Sequence, residues 1–141
     1  MKYTIPIVPV AWKRAGHSGR HFYDQQQHEK LAFGLYMAQQ HDNEPPFTTA
    51  FELRIVFFMP QPYARLQRWK SLGKEEFHHS TIPDLDNLEK HILDTAQQAN
   101  IITNDKLCCS CCKRKIYDKN PRVEFYFIEI DPYKIVDPWI W

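Results

Sequence analysis

Hydrophobic and polar positions alternate most clearly over residues 51–58, where Phe51, Leu53, Ile55 and Phe57 interleave with Glu52, Arg54, Val56 and Phe58. A period of two places the two sets on opposite faces of a strand, and Pro60 stops the run. Tyr3 to Val10 contains Ile5, Ile7 and Val8 and predicts a shorter strand, with Pro6 and Pro9 confining it to an edge or ending it early. Asp24 to Gln40 is rich in helix formers, with Leu31, Leu35 and Ala38 on one face and Asp24 as N-cap. A second helix is predicted from about Asp84 to Gln98, entered through Pro83, with Leu85, Leu88, Ile92 and Ala99 as its apolar stripe. Lys106 to Tyr117 reads as a strand dominated by cysteines, Asp118 to Pro121 as a turn, and Val123 to Ile128 as a final strand. The last two strands suggest a hairpin. Trp12 to His21 reads as a basic loop, and Gln61 to Thr81 as a polar, basic and mobile one. The tail, Tyr133 to Trp141, lacks a regular pattern but ends Trp139-Ile140-Trp141, a cluster that either packs back on the domain or faces another chain.

The element order is therefore β-α-β-α-β-β, a small α/β (α+β) domain over residues 1–130 with a tail at 131–141. A chain of 141 residues is one domain's worth, and 43% apolar with 14% aromatic residues excludes a disordered chain. Four glycines argue against a glycine-fingerprint dinucleotide fold. No segment resembles a signal peptide or a membrane span, so a cytoplasmic protein is expected.

The net charge of +1 is poor evidence for a nucleic-acid partner until it is divided along the chain. Residues 1–23 carry +4 and residues 61–80 carry +2, whereas residues 81–105 sum to −4 and residues 106–122 to +5. An acidic centre thus adjoins the most basic segment. The four cysteines all fall in Cys108-Cys109-Ser110-Cys111-Cys112. On a regular strand Cys109 and Cys111 share one face and Cys108 and Cys112 the other, as small packing residues. A zinc site and redox chemistry stay open beside that reading.

The densest chemistry is Pro83-Asp84-Leu85-Asp86-Asn87-Leu88-Glu89-Lys90. Asp84 sits where a helix N-terminus favours an anion, and Asp86 and Lys90, four residues apart, lie opposite the apolar stripe. A capped helix with a surface ion pair would account for each alone. Asp105 adds a third carboxylate, which the short loop from Ala99 to Asn104 brings near the helix start if the next strand runs back alongside. Three converging carboxylates need a cation, and Mg²⁺ suits an oxygen-rich site that also accepts phosphate. Phosphodiester hydrolysis by a metal-activated water follows, with Lys90 offsetting developing negative charge. Glu89 and Asp94 read as helix-surface residues, His79 as a loop histidine or phosphate contact, and Asn87 as ordering the helix start.

This stretch resembles the RusA family of Holliday junction resolvases. The matching residues are His79, the run from Pro83 to Lys90, Ile92-Leu93-Asp94 and Asp105, with the proline- and basic-rich start and Tyr23-Asp24 also fitting. The resemblance covers about residues 3–130. It implies a RusA-like fold with a mixed sheet, working as a homodimer that uses Mg²⁺ (with Mn²⁺ as a substitute) to nick four-way DNA junctions symmetrically. Carried over by position, Asp84, Asp86 and Asp105 are the metal-binding and catalytic carboxylates and Lys90 the catalytic lysine. Ile82, where a basic residue often stands, and Asn104, where a second aspartate is common, depart from the pattern.

The basic bands then read as phosphate contacts: Lys13, Arg14 and Arg20 on one arm, Arg65, Arg68, Lys70 and Lys74 on a loop, Lys113, Arg114 and Lys115 beside the site, and His79 among them. Trp69 or Phe77 is a candidate for stacking at an opened junction, with a core or interface role as the alternative for either. The rival readings are a branched-DNA or flap nuclease with the same site, a non-catalytic DNA-binding protein, and a zinc-binding interaction protein.

Overall fold

A computed structural model describes residues 2–14, 16–19, 21–23 and 26–140, without the side chains of 17, 18 and 21–23. The expected N-cap Asp24, the basic residue Arg20 and the terminal Trp141 lie outside the described residues. The elements are β1 (Lys2–Ile5), β2 (Gly16–Ser18), β3 (His21–Tyr23), α1 (Gln27–His41), β4 (Phe51–Met59), α2 (Tyr63–Leu72), α3 (Leu85–Gln98), a 3₁₀ turn (Asp105–Leu107), β5 (Cys108–Tyr117) and β6 (Arg122–Glu129). β1, β6, β4 and β5 form one mixed sheet in that order, and β2 and β3 form a separate hairpin. The domain is α+β.

The alternation in β4 does what its pattern demands. Phe51, Leu53, Ile55, Phe57 and Met59 are buried together with Tyr3 and Ile5 of β1 and Val123, Phe125 and Phe127 of β6. α1 and α3 cover that face, packing on one another through Phe33, whose ring meets His91 edge-on at 5.0 Å. Glu52, Arg54, Tyr126 and Glu124 sit on the opposite, open face, where Lys2 and Arg122 both pair with Glu124.

Four expectations are corrected. First, β5 and β6 are no hairpin: β4 lies between them, parallel to β5 and antiparallel to β6. After β5 the chain passes over the end of β4, where the Asp118 N–H donates to the Met59 carbonyl, and returns on the far side. Second, residues 63–72 are helical, not a mobile loop. Pro62 precedes the helix and Gly73 ends it in the left-handed region at φ 68°, while Trp69 is its only buried residue. Third, α1 buries Lys30, Phe33, Gly34, Met37 and His41, leaving Leu31 and Leu35 at 55% and 71% exposed. The neighbouring face has the same three- and four-residue spacing and carries the bulkier Phe33 and Met37, and Lys30 finds Asp94 at 3.8 Å. Fourth, the predicted loop at Trp12 to His21 contains the start of the β2–β3 hairpin.

The cysteine strand is also re-phased. Phe51 pairs with Cys108 but Glu52 with Ser110, so a bulge at Cys109 shifts the alternation. Cys108 and Cys111 consequently pack against the core while Cys109 and Cys112 are exposed, and all four are free thiols. The tail residues 131–140 are exposed, Tyr133, Ile135 and Trp139 at 92%, 97% and 85%, so this segment does not fold back on the domain.

Candidate active site

α3 begins at Leu85, one residue later than the expected start at Asp84, because Asp84 takes the extended backbone of an N-cap. The Leu88 N–H donates to the Asp84 carbonyl, but the Asp84 side chain makes no capping bond. Its carboxylate is left at the positive end of the helix without the partner that usually occupies an N-cap aspartate. Asp86 follows in the first turn, and both residues are exposed. The surface pair expected between Asp86 and Lys90 is absent among the described contacts. Instead the Lys90 Nζ stands 3.5 Å from the centroid of the Trp12 ring.

Trp12 belongs to the segment expected as a basic loop. Its N–H donates to the Asn87 carbonyl at 2.8 Å, which docks the segment after β1 on the first turn of α3. Gln26 locks the same segment from α1: its Oε1 accepts from the Lys13 N–H and its Nε2 donates to the Ala11 carbonyl. Lys13 and Arg14, both exposed, are thereby brought beside the helix start.

β5 supplies the wall behind the carboxylates. Cys111, Lys113 and Lys115 alternate onto the side facing α3. Lys113 pairs with Glu89 at 2.5 Å; burial works to lower its pKa but is outweighed by Glu89, with Cys111 and Asp86 adding to the rise. Lys115 Nζ donates to the carbonyls of Thr81 and Pro83, the latter at 2.7 Å and immediately before Asp84. Burial lowers the Lys115 pKa, opposed by the Asp84 charge. Both lysines, expected as phosphate contacts, are thus committed to the chain's own carboxylate and carbonyls. Glu89, expected as a surface residue, anchors the first of them.

His79 is likewise internal. It is buried against the Tyr117 ring at 4.8 Å, with its Nε2 3.3 Å from the Thr81 hydroxyl and its backbone N–H bonded to the Lys115 carbonyl. Burial, reinforced by Lys115, lowers its pKa and keeps the ring neutral at pH 7. Trp69 is buried edge-on against the same Tyr117, so of the two stacking candidates only Phe77, at 61% exposure, is available. Arg65 sits 3.4 Å from Glu76, while Arg68, Lys70 and Lys74 are exposed on or just after α2, as is Arg114 on β5.

Asp105 is elsewhere. Its N–H donates to the Gln97 side chain in the last turn of α3, and the 14-residue helix separates it from Asp84 by about 20 Å. The strand does run back alongside the helix, but β5 starts after Asp105, so it is the far end of the strand, Lys113 to Tyr117, that reaches the helix start. Asn104 caps the 3₁₀ turn, accepting from the Lys106 N–H at 3.0 Å. Among the described residues no three His, Cys, Asp or Glu side chains come together as a metal-holding group. The cysteines do not form one either, because Cys108 and Cys111 pack against the core while Cys109 and Cys112 are exposed.

Comparison with known families now decides the lineage. A sequence model described as Endodeoxyribonuclease RusA matches residues 5–130. The chain belongs to the RusA endodeoxyribonuclease family. That membership makes it a nuclease-family protein, a hydrolase of DNA phosphodiesters, and the RusA match contains Asp84, Asp86, Lys90, Asp105, Lys113 and Lys115. A search of curated proteins finds no match.

The cysteine geometry gives a direct check on this RusA-family fold. The Cys111 thiol is pushed up to about 12 by burial and by Glu89. Only thiolates alkylate, so iodoacetamide at mildly alkaline pH is expected to label Cys109 and Cys112 and spare Cys108 and Cys111. Peptide mapping of the alkylated, folded protein reads this as adducts on Cys109 and Cys112, and joint labelling of Cys109 with Cys111, or of Cys108 with Cys112, would contradict the bulge.

Proposed function

We propose that this protein is a divalent-metal-dependent endonuclease that resolves four-way DNA junctions by paired symmetric nicks, acting as a homodimer in the cytoplasm of a bacterial or phage-infected cell. The observation that carries the reading is the pair Asp84 and Asp86 at the start of α3, one at an N-cap position yet not capping, inside a chain of the RusA family.

Two carboxylates fit Mg²⁺, which keeps several waters and is commonly held by one or two carboxylates plus phosphate oxygens; the third expected ligand, Asp105 of the same chain, does not fit. Asp84 and Asp86 would hold the ion, with Mn²⁺ as a substitute. When bound, it would polarise the scissile phosphate and acidify the attacking water. The chain's own groups do the rest. The free N–H groups and positive end of α3 attract a phosphate. Lys90, held over Trp12, offers its ammonium to the charge that develops on the phosphoryl oxygens. Lys113 and Lys115 set the wall that keeps the helix start in place.

Exposed basic residues lie on several elements of the domain. Lys13 and Arg14 are docked beside the helix start, Arg68, Lys70 and Lys74 project from the α2 region, and Arg114 lies on the open sheet face. These are sequence-independent phosphate contacts, so junction affinity is expected to fall steeply with salt. Among the described residues no helix is long and apolar enough to cross a membrane.

Cleavage of a synthetic four-way junction, beside linear duplex and flap substrates and with Mg²⁺ present or chelated, tests this. Preferential paired nicking of the junction is expected. Equal cutting of all three would support the branched-DNA nuclease instead, and metal-insensitive binding without cutting would support a DNA-binding protein.

A further inference from the structure

The chain enters α3 through a segment that β5 holds at several points. The His79 N–H donates to the Lys115 carbonyl, and the Lys115 ammonium in turn donates to the carbonyls of Thr81 and Pro83. Those two acceptors stand on either side of Ile82. One half-buried cation thus grips the backbone immediately before and immediately after a single side chain, and that side chain is 83% exposed. Ile82 belongs neither to the core cluster nor to the residues packed against it.

A lone exposed apolar residue is ordinary on a protein surface. Ile82 differs in being held. Its backbone is pinned on both sides, and its β-branched side chain has few rotamers. Its sequence neighbours Ser80, Thr81, Asp84 and Asp86 are polar, so it is an isolated apolar point beside two carboxylates. It stands two residues before Asp84, which places the two Cα atoms within about 7 Å of one another. Successive phosphates of one DNA strand are about 3.4 Å apart along the axis. A phosphate held at the start of α3 therefore brings the adjoining base steps within reach of Ile82.

We propose, resting on the nuclease reading above, that Ile82 is a wedge that inserts between bases at the centre of a branched DNA while the adjoining phosphate is held at Asp84 and Asp86. A stiff apolar side chain on a fixed backbone opens a base step by replacing part of its stacking, and the cost of unstacking decides where it enters. Inside a duplex every step is stacked on both sides. At a branch point the strands change partners and the innermost pairs lack a continuous stack, so entry costs less there. Lysines and arginines on phosphates do not make this distinction. Ile82 makes it, and so determines which DNA shape is cut. Phe77, the other exposed apolar side chain of the segment, lies seven residues before Asp84 and outside the Lys115 grip, with its ring edge-on to His78.

The test uses four-way junctions carrying 2-aminopurine at the branch point or in the middle of one arm, bound in EDTA so that opening is read without cutting. Wild-type protein is expected to raise the fluorescence at the branch point and not in the arm. Ile82→Ser is expected to lose most of that rise and about tenfold in single-turnover cleavage, with junction affinity changed by no more than about threefold. Ile82→Leu keeps the apolar bulk and should keep both. A junction with unpaired bases at its centre should be cut by Ile82→Ser at nearly the wild-type rate, a rescue that damage to the fold or to the carboxylate site would not allow. Leu35→Ser, at a 71% exposed position on α1, should change neither quantity. Opening that survives Ile82→Ser, opening lost equally in Phe77→Ser, or cleavage that the pre-opened junction does not rescue overturns the wedge. A wild-type protein that opens the branch point through Ile82 yet cuts no DNA retires the nuclease reading and leaves the wedge standing.

Discussion

Asp86→Asn is expected to reduce Mg²⁺-dependent junction cleavage by about 10³-fold, a barrier increase of about 4 kcal/mol, with junction binding retained. The size follows from what the carboxylate does in this reading: it is one of two anionic ligands at the helix start, and an amide there gives up the charge that holds the cation. Binding should survive because, in the same reading, the affinity for DNA comes from exposed lysines and arginines spread over the segment after β1, α2 and β5. Removing one negative charge from that surface works, if anything, toward tighter binding. The fold should survive as well, since the Asp86 side chain is exposed and no described hydrogen bond depends on it. Single-turnover cleavage of a labelled junction, with gel-shift affinity measured in parallel, reads both quantities. Unchanged cleavage would remove the helix start as the site.

Lys115→Met is expected to cost roughly 10²-fold in cleavage rate and to lower Tm by several degrees, with little change in junction affinity. The side chain is half-buried, and its ammonium ties down the carbonyls of Thr81 and Pro83, the residues that lead into Asp84. Methionine fills the space but leaves two carbonyls without their donor, at about 1–3 kcal/mol for each unsatisfied buried group. Asp84 then loses its fixed approach to the helix start, and a misplacement of about 1 Å at a reacting centre is worth about 10²-fold. The Mg²⁺ concentration for half-maximal activity should rise, which a purely structural loss would not produce. Lys115→Arg, which keeps the charge and donors, should recover part of the rate. A Lys115→Met variant that cuts normally but binds junctions more weakly would make Lys115 a phosphate contact after all.

The two long lysines of β5 show where a linear reading fails. In the sequence Lys113, Arg114 and Lys115 are one basic run, and a run of charge reads as a solvated surface. In the fold a strand alternates, so Arg114 faces out while Lys113 and Lys115 face α3, where Glu89 and two carbonyls receive them. His79 and Trp69 both sit in polar, basic segments, and Tyr117, contributed by a distant strand, gives them an interior to occupy. Lys90 looked like the partner of Asp86 because they are one helical turn apart. The ring of Trp12, some eighty residues away in sequence, takes it instead.

Local rules determined the rest. The period of two made β4, helical spacing and an acidic N-terminal turn made α3, and the order of carboxylates and lysine within Pro83 to Lys90 and at Asp105 marks the family in the sequence itself. These are short-range properties, set by backbone geometry over a few residues. What only the tertiary structure decided is which elements lie side by side and which way they run. β5 enters beside β4 and parallel to it, which makes β5 an edge, sends β6 to the other side, and puts Asp105 at the far end of α3 from Asp84. Strand order depends on contacts between residues far apart in the chain, and no spacing along a sequence encodes a distance across a helix. The acidic centre and the basic band beside it therefore belong together, as the chain's charge pattern indicates, but through alternate side chains of one strand meeting the first turns of one helix.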